Sequence, residues 1–208
     1  MIRVLVFDFD GVIMETVAVK TRAFARSVED FGPEAVDWLT ELHLRHGGVS
    51  RYEKFRRFYE EYLGRDITQP DIDMLVGRFL QAAEEELLEA PFVTGAREAI
   101  EEAHRTYPIY VASGAPQEEL RAICQVKGLT RYFQGIYGSP PEKAELLRRI
   151  LMESGAQPNE TLMIGDSSTD LEAAEAVGTR FYGRGKFPAP HEWAEDLTGL
   201  TEWLRMQG

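Results

Sequence analysis

Two aspartates one residue apart, Asp8 and Asp10, are the residues of this chain whose type and spacing most clearly indicate chemistry. They follow the apolar run from Val4 to Phe7 and precede Gly11. The run predicts a buried strand, and where the chain turns beyond it the two carboxylates can converge. Converging carboxylates either bind a divalent cation or force one of the acids to keep its proton. The structural alternative is a strand edge that acidic side chains protect from pairing.

Four further polar residues, Ser113, Lys143, Asp166 and Asp170, each follow a predicted strand or lie at the start of the next helix. Because the carboxyl ends of parallel strands lie at one edge of a sheet, we expect these side chains to gather around Asp8. Taken singly, each has an ordinary structural explanation. Ser113 can cap a helix, Lys143 can lie on the surface, and Asp166 to Asp170 can form a turn and a cap. Their joint occurrence at strand ends favours a functional site.

The elements that must position these residues alternate between strand and helix along most of the chain. The predicted order is a helix near 96–105, strand 109–113, helix 116–127, strand 134–137, a helix from 140, strand 161–165, helix 168–177 and strand 180–182. Ser139 and Glu142 match a capping box at the start of the helix from residue 140. The alternation predicts an α/β fold with a parallel sheet and helices on both faces.

A segment of different character, residues 17–88, follows the first strand. Its apolar and aromatic side chains recur at helical spacing and predict four helices. Turn signals separate them at Gly32-Pro33, at Gly47-Gly48, and from Gly64 to Pro70. The aromatic side chains are typical of packing between helices rather than of a cofactor site. The sequence therefore predicts a helical insertion after the first strand.

Composition and charge limit the classes of partner. The chain has 208 residues and a net charge of −12, which argues against nucleic acid or an acidic membrane as its main partner. The single cysteine, Cys124, excludes an intramolecular disulfide and favours a reducing, cytoplasmic setting. Its apolar neighbours at helical spacing predict a buried side chain rather than a nucleophile. No apolar stretch approaches the ~18 residues of a membrane span and no signal peptide is visible, so we expect no membrane partner.

Four segments carry a family resemblance. They are Asp8 to Val12 (DFDGV), Val111 to Gly114 (VASG), Lys143, and Gly165 to Asp170 (GDSSTD). In this order they resemble the motifs of the haloacid dehalogenase superfamily of phosphohydrolases, in the branch with a helical cap inserted after the first motif. Within that branch, the chain is similar to the group of phosphoglycolate phosphatases and β-phosphoglucomutases.

The resemblance also implies how the chain is divided. A Rossmann-like, three-layer core around a parallel sheet would contain residues 1–15 and 91–208. An inserted α-helical cap domain would contain residues 16–90. Lids of this kind open and close, and the hinges are expected near residues 15–17 and 90–95.

The resemblance assigns phosphoryl transfer to two of the carboxylates. Asp8 would be the nucleophile that forms an aspartyl phosphate, and Asp10 would be the acid for the leaving oxygen and then the base for water. A phosphoryl group is itself anionic, so a cation must offset the charge of the acids around it. Oxygen ligands suit Mg2+, and no His or Cys lies in the motifs. The implied ligands are Asp8, the backbone carbonyl of Asp10, Asp166, and Asp170 directly or through water.

The other motif residues would hold the transferring phosphoryl oxygens: Ser113, the amide of Gly114, and Lys143.

Two departures from the family pattern lie near the site. Glu15 and Thr16 occupy the place where many relatives carry Asp-Ser, which leaves the cap hinge and a substrate contact open. Lys143 precedes an alanine where a proline is usual, and it is assigned because no other lysine lies near a strand end in that interval.

The cap would supply the residues that select the substrate. The segment from His46 to Phe55 (HGGVSRYEKF) resembles the specificity loop of the β-phosphoglucomutase group. We expect Arg51, and with it Lys54, to reach a polar or anionic part of the substrate, and the alternative is an exposed helix start. Lys20 is predicted to point into solvent, and His46 to belong to the turn.

These features predict a Mg2+-dependent phosphomonoester hydrolase that acts on a small phosphorylated metabolite such as a sugar phosphate or phosphoglycolate, as a monomer or homodimer. A phosphosugar mutase is the nearest alternative, but such mutases commonly carry Glu-Asp where this chain has Gly165-Asp166. A noncatalytic phosphate-sensing protein is the alternative from another class. An inactive relative would be expected to have lost a motif residue, whereas this chain retains Asp8, Asp10, Lys143 and Asp166.

Overall fold

Six short strands form one parallel β-sheet in this protein, and the computed structural model describes residues 1–207. In chain order the strands are β1 (Val4–Phe7), β2 (Ile109–Pro116), β3 (Gly135–Ser139), β4 (Thr161–Gly165), β5 (Arg180–Arg184) and β6 (Glu192–Ala194). Their spatial order is β3-β2-β1-β4-β5-β6. The chain places β2 on one side of β1 and β4 on the other, so a crevice opens beyond the carboxyl end of β1. The last residue of the predicted core segment 91–208 lies outside the described range.

Four helices occupy the interval between β1 and β2 before the sheet resumes. They are α1 (Val17–Ser27), α2 (Pro33–Arg45), α3 (Arg51–Arg57) and α4 (Gln69–Glu89). A π-helical turn, Phe58–Tyr62, extends α3. Phe24 of α1 packs against Phe79 of α4 with ring centroids 4.8 Å apart, and Phe55 lies fully buried beside Phe24. The prediction of four helices with an aromatic core is confirmed.

Five more helices complete the layers around the sheet: α5 (Ala96–Ala103), α6 (Gln117–Val126), α7 (Lys143–Ser154), α8 (Ser168–Val177) and α9 (Leu200–Arg205). Leu5 and Phe7 of β1 point into a core shared with α5, α6 and α9. Val4 and Val6 point to the other face, into a core shared with α7 and α8. Burial of each such side chain stabilises the fold by about 1.5–3 kcal/mol. The predicted three-layer arrangement is confirmed.

The helices of residues 1–207 include none that is long and apolar enough to cross a membrane. The longest, α4, has 21 residues and carries charged side chains throughout.

Cys124 is fully buried in α6, as predicted, and burial raises the pKa of its thiol to about 12. A thiol with that pKa is a poor nucleophile at neutral pH.

The start of α7 differs from the prediction. The capping box expected at Ser139 and Glu142 is wrong, because α7 begins at Lys143 and the Glu142 N-cap has no side-chain hydrogen bond. Pro140 and Pro141 follow Ser139, and a residue that precedes proline is kept out of the helical region.

The sequence pattern predicts neither β6 nor α9. These elements have only 3 and 6 residues and are too short for a clear periodicity.

A buried histidine lies within the packing of the cap helices. His43 of α2 is 4% exposed, and its ring centroid lies 4.6 Å from that of Phe24. Its Nδ1 lies 2.9 Å from Nζ of Lys54. Burial, and then the positive charges of Lys54 and Lys20, lower the pKa of His43 to about 3, although Asp10 acts weakly in the opposite direction. His43 is therefore neutral in the folded protein at neutral pH.

We predict that His43 makes the protein less stable in mild acid. The pKa of an unfolded histidine is about 6.5, so between about pH 6.5 and pH 3 the unfolded chain binds a proton that the folded chain does not. Stability is lost as the pH falls through this window, by about 2 kcal/mol between pH 7 and pH 5 from His43 alone. Urea unfolding of the wild type and of His43→Gln at a series of pH values measures this loss as a difference, because the raised pKa values of Asp8 and Asp166 act in the opposite direction over the same range.

Relative to the wild type, the variant His43→Gln should gain free energy of unfolding as the pH falls from 7 to 5, whatever its stability at pH 7. The matched control is His46→Gln, which changes a half-buried histidine at the end of the same helix. An unchanged pH dependence in His43→Gln would contradict the assignment of the proton to His43.

Candidate active site

Three carboxylates meet one ammonium group beyond the carboxyl ends of β1 and β4. Asp8 follows β1, Asp166 follows β4, Asp170 lies in the first turn of α8, and Lys143 begins α7. One oxygen from each carboxylate lies within 4.8 Å of the others. Nζ of Lys143 lies 3.1 Å from Oδ1 of Asp8 and also pairs with Asp170. The structure thus brings together four of the residues that the sequence singled out.

Burial makes this cluster electrostatically strained. Asp8 is 3% exposed, and burial together with the charge of Asp170 raises its pKa to about 7 in spite of Lys143. Burial and the charges of Asp8 and Asp170 raise the pKa of Asp166 well above its usual range. Burial acts to lower the pKa of Lys143, but the two carboxylates beside it raise that pKa overall. One ammonium group is too little positive charge for three clustered carboxylates, of which Asp8 and Asp170 are buried and Asp166 is half-buried.

The cluster fits a divalent cation with oxygen ligands. Oδ1 of Asp8 is buried and accepts no well-aligned hydrogen bond. Asp166 accepts none of the side-chain hydrogen bonds found in residues 1–207. Because hard cations such as Mg2+ prefer carboxylate and carbonyl oxygens, this donor set suits Mg2+ and offers no thiolate or imidazole for zinc.

Asp170 differs from the other two acids because both of its oxygens already have partners. Oδ1 pairs with Lys143, while Oδ2 accepts hydrogen bonds from the amide of Ser167 at 3.1 Å and from its hydroxyl at 2.6 Å. The contact with Ser167 forms the capping box of α8. Asp170 therefore fixes both the lysine and the loop that carries Asp166.

The side chain of Asp10 turns away from this cluster toward the first cap helix. Its Oδ1 accepts a hydrogen bond from the hydroxyl of Thr16 at 2.5 Å, and its Oδ2 lies 2.5 Å from Nζ of Lys20. Burial acts to raise the pKa of Asp10, but Lys20 and the two hydrogen bonds lower it overall. The prediction that Lys20 points into solvent is wrong, since it is only 8% exposed. The ion pair with Asp10 offsets the free-energy cost of burying the ammonium group of Lys20.

A sequence signal for Thr16 and Lys20 exists. They are four residues apart at the start of α1, so they lie on one face of the helix. The sequence does not identify the pair, because it does not show that the helix axis directs this face toward Asp10. Glu15, the neighbour of Thr16, instead pairs with Arg184 at 2.7 Å.

Ser113 and Gly114 lie within β2, which extends to Pro116 rather than ending at Ser113 as predicted. The register of β2 against β3 shifts between Ala112 and Pro116, and the pairing resumes at Pro116, opposite Ser139. Ser113 is 1% exposed, and its Oγ accepts a hydrogen bond from the Ala115 amide at 3.1 Å. A side chain at Gly114 would collide with the carbonyl oxygen of Gly48 in the cap. The absence of a side chain at Gly114 thus lets the cap loop close on the strand.

A glycine also permits the turn after β1. Gly11 has φ +72°, a conformation that other residues rarely adopt, and a Cβ there would collide with the carboxylate of Asp166. The turn therefore allows Asp166 to approach the backbone that carries Asp8 and Asp10. A substituted residue at this position would disturb the site through both strain and contact.

A cavity of about 310 Å3 lies between the cap and the carboxyl edge of the sheet. Core residues of its wall include Asp8, Asp10, Gly114 and Asp166, and cap residues include Lys20, His43, Arg51 and Lys54. The amide of Gly48 donates a hydrogen bond to Oγ1 of Thr169 at 3.0 Å and ties the cap loop to α8. The cap is therefore closed over the carboxylates.

The two cap residues expected to contact substrate both line this cavity. Arg51 is 5% exposed and donates to both oxygens of Glu119, at 2.6 Å each. Lys54 is 1% exposed and contacts His43 as well as the carbonyl oxygen of Gly47, at 3.1 Å. The alternative of an exposed helix start is wrong for both residues. Burial, and then the charge of Lys20, lower the pKa of Lys54 to about 7.

Comparison with known proteins supports a family assignment. The family model described as haloacid dehalogenase-like hydrolase matches residues 2–178. A phosphorylated carbohydrates phosphatase of Thermotoga maritima is 27% identical over 188 residues, covering 86% of this chain and 83% of that protein. A phosphoglycolate phosphatase of Synechococcus elongatus is 21% identical over 186 residues, covering 84% of this chain and 79% of that protein.

The fold is also found among solved structures. The crystal structure of β-phosphoglucomutase from Clostridium difficile has a TM-score of 0.82 and covers 100% of this chain and 97% of that chain, at 16% identity. At this identity the similarity concerns the fold. Because the family model spans most of the chain, including both segments that carry the clustered aspartates, the protein belongs to the haloacid dehalogenase-like hydrolase family.

Proposed function

We propose that the protein is a Mg2+-dependent phosphomonoester hydrolase that acts on a small phosphorylated metabolite through an aspartyl phosphate on Asp8. The observation that carries the proposal is the cluster of three carboxylates around Lys143, two of which, Asp8 and Asp166, line a small cavity. The phosphatase names of the relatives from Thermotoga maritima and Synechococcus elongatus support the choice of a phosphate ester, such as a sugar phosphate or phosphoglycolate.

Asp8, Asp166 and the backbone carbonyl of Asp10 would hold the cation. Asp170 would act through water, because Lys143 and Ser167 already occupy its oxygens. When bound, Mg2+ would offset the negative charge that gathers on the phosphoryl oxygens.

The reaction would then proceed in two displacements at phosphorus. Asp8 attacks the phosphorus, and the bond from phosphorus to the substrate oxygen breaks. Asp10 gives that oxygen a proton, so it must bind a proton before this step, although Lys20 and two hydrogen bonds lower its pKa in this structure. In the second step Asp10 takes a proton from water, whose oxygen attacks the phosphorus, and the bond from phosphorus to Asp8 breaks. Phosphate leaves and both aspartates return to their initial states.

Side chains and one backbone amide of the protein would supply the positive charge and the hydrogen-bond donors around the reacting atoms. Lys143, the hydroxyl of Ser113 and the amide of Gly114 would hold phosphoryl oxygens, which places positive charge and donors where negative charge develops. Thr16 and Lys20 would hold the carboxylate of Asp10 toward the leaving oxygen. Lys20 is a positioning residue in this scheme, since it acts through Asp10.

Residues 16–90 would act as the cap and residues 1–15 and 91–208 as the core. Closure of the cap would exclude bulk water from the cavity and bring Arg51 and Lys54 to the substrate. Opening would have to break the contacts of Gly48 with Gly114 and Thr169, and also the ion pair of Arg51 with Glu119.

We predict that Asp8→Asn abolishes phosphate release, because an amide oxygen cannot form the acyl phosphate. The loss should be at least about a thousandfold, with an unchanged circular dichroism spectrum. The assay measures phosphate release with Mg2+ from phosphoglycolate, hexose phosphates and pentose phosphates. Asp37→Asn, an exposed carboxylate of the cap, is the matched control.

Full activity in Asp8→Asn would contradict the assignment of the nucleophile. Interconversion of glucose 1-phosphate and glucose 6-phosphate without release of phosphate would indicate a mutase instead.

We predict that a chelator stops turnover, that Mg2+ restores it, and that Ca2+ does not. Ca2+ binds with more ligands and a looser geometry than Mg2+, so it would not align the attack of Asp8. Phosphate release is measured after dialysis against the chelator and after addition of each ion. Undiminished turnover in the chelator would contradict a role for the metal.

We predict that Lys20→Met lowers kcat by roughly 10- to 100-fold with a smaller change in KM, because acid–base catalysis by Asp10 depends on its position. Lys20→Arg should retain more activity, since it keeps the positive charge. Lys186→Met, which changes an exposed lysine, is the control. A wild-type kcat in Lys20→Met would exclude the positioning role.

A further inference from the structure

An ion pair joins the cap to the core beside the cavity, and its arginine, Arg51, lines the cavity wall. Arg51, at the start of α3, donates to both carboxylate oxygens of Glu119, in the first turn of α6. The side chains are 4% and 18% exposed. The guanidinium carbon also lies 4.2 Å from the ring centroid of Phe79, which is fully buried. Arg51 is therefore held on one side by an aromatic face and on another by a carboxylate.

The other cations of the cavity wall are also engaged. Among the described residues, Lys20 pairs with Asp10, and Arg45 pairs with Glu41 at the exposed surface. Lys54 has no carboxylate partner there, but its Nζ already contacts Nδ1 of His43 at 2.9 Å and the carbonyl oxygen of Gly47 at 3.1 Å. A second anionic group on a substrate would thus find each cation of this wall already engaged by groups of the protein.

We propose that Glu119 determines the charge of the leaving group that the cavity accepts. By neutralising Arg51, it favours phosphomonoesters of uncharged alcohols, such as sugar monophosphates, over esters that carry a carboxylate or a second phosphate. This inference rests on the proposed phosphatase function and names the substrate class of the same cavity. It also accounts for the pairing of Arg51, which is expected to bind an anionic part of the substrate, with a carboxylate of the protein.

Two features of the ion pair resist its displacement by a substrate anion. Glu119 lies in the first turn of α6, where the helix dipole favours a negative charge. If a substrate anion took Arg51, Glu119 would remain as a mostly buried charge without its partner, which is unfavourable. A neutral polyol avoids both penalties, because its hydroxyl groups can accept from or donate to the polar wall without breaking the pair.

The test uses two substrates of nearly equal size that differ in charge. 2-Hydroxyethyl phosphate has an uncharged leaving group, and phosphoglycolate carries a carboxylate in the same place. We expect the wild-type protein to prefer 2-hydroxyethyl phosphate in kcat/KM by about tenfold or more, as expected for an unfavourable charge contact. In Glu119→Gln, kcat/KM for phosphoglycolate should rise by about tenfold, chiefly through a lower KM, with little change for 2-hydroxyethyl phosphate.

The control is Glu118→Gln, which changes the neighbouring carboxylate. Glu118 has a side chain that is 89% exposed and should have no effect on this selectivity. Equal losses of kcat for both substrates in Glu119→Gln would overturn the inference, because they would assign Glu119 only to closure of the cap. A wild-type preference for phosphoglycolate would overturn it as well.

Hydrolysis of p-nitrophenyl phosphate separates this inference from the proposed function. If the wild-type protein hydrolyses that ester and Asp8→Asn does not, the phosphatase function stands whatever the selectivity shows. If no phosphate ester is hydrolysed, the proposed function fails and the inference fails with it.

Discussion

The fold brings three carboxylates and a single ammonium group into a buried site, and the rest of the structure accommodates that charge. Desolvation penalises each ionised acid, and their mutual repulsion adds to the penalty. Lys143 offsets only part of it, so the pKa values of Asp8 and Asp166 are raised. An arrangement of this kind costs stability unless a cation completes it, and such costs are typical of functional sites.

The position of the site follows from the topology of the sheet. Asp8 and Asp166 follow two neighbouring parallel strands, and the crossover to β2 on the other side of β1 leaves the crevice open. Gly11 allows the two segments to approach, and Gly114 allows the cap to close over them. The apolar strands and helices thus provide a rigid frame, while two glycines remove the steric obstacles at its edge.

The sequence predicts much of this arrangement, because strand ends and helix starts can be located from local patterns. It predicts the parallel sheet, the helical insertion and the grouping of Asp8, Asp166 and Lys143. Contacts between distant segments have no such local signal. The pairing of Arg51 with Glu119 joins residues 68 positions apart, and only the packing of the cap on the core determines it. The pairing of Lys20 with Asp10 likewise depends on the direction in which α1 leaves the core.

The most direct test of the account is the identity of the residue that carries the phosphoryl group during turnover. The protein would be mixed with substrate and Mg2+, quenched rapidly and reduced with borohydride, which converts an aspartyl phosphate to homoserine. Peptide mass spectrometry would then locate the modified residue. The account predicts homoserine at position 8, in an amount that falls as substrate is exhausted. Modification at another residue, or none at any time during active turnover, would contradict it.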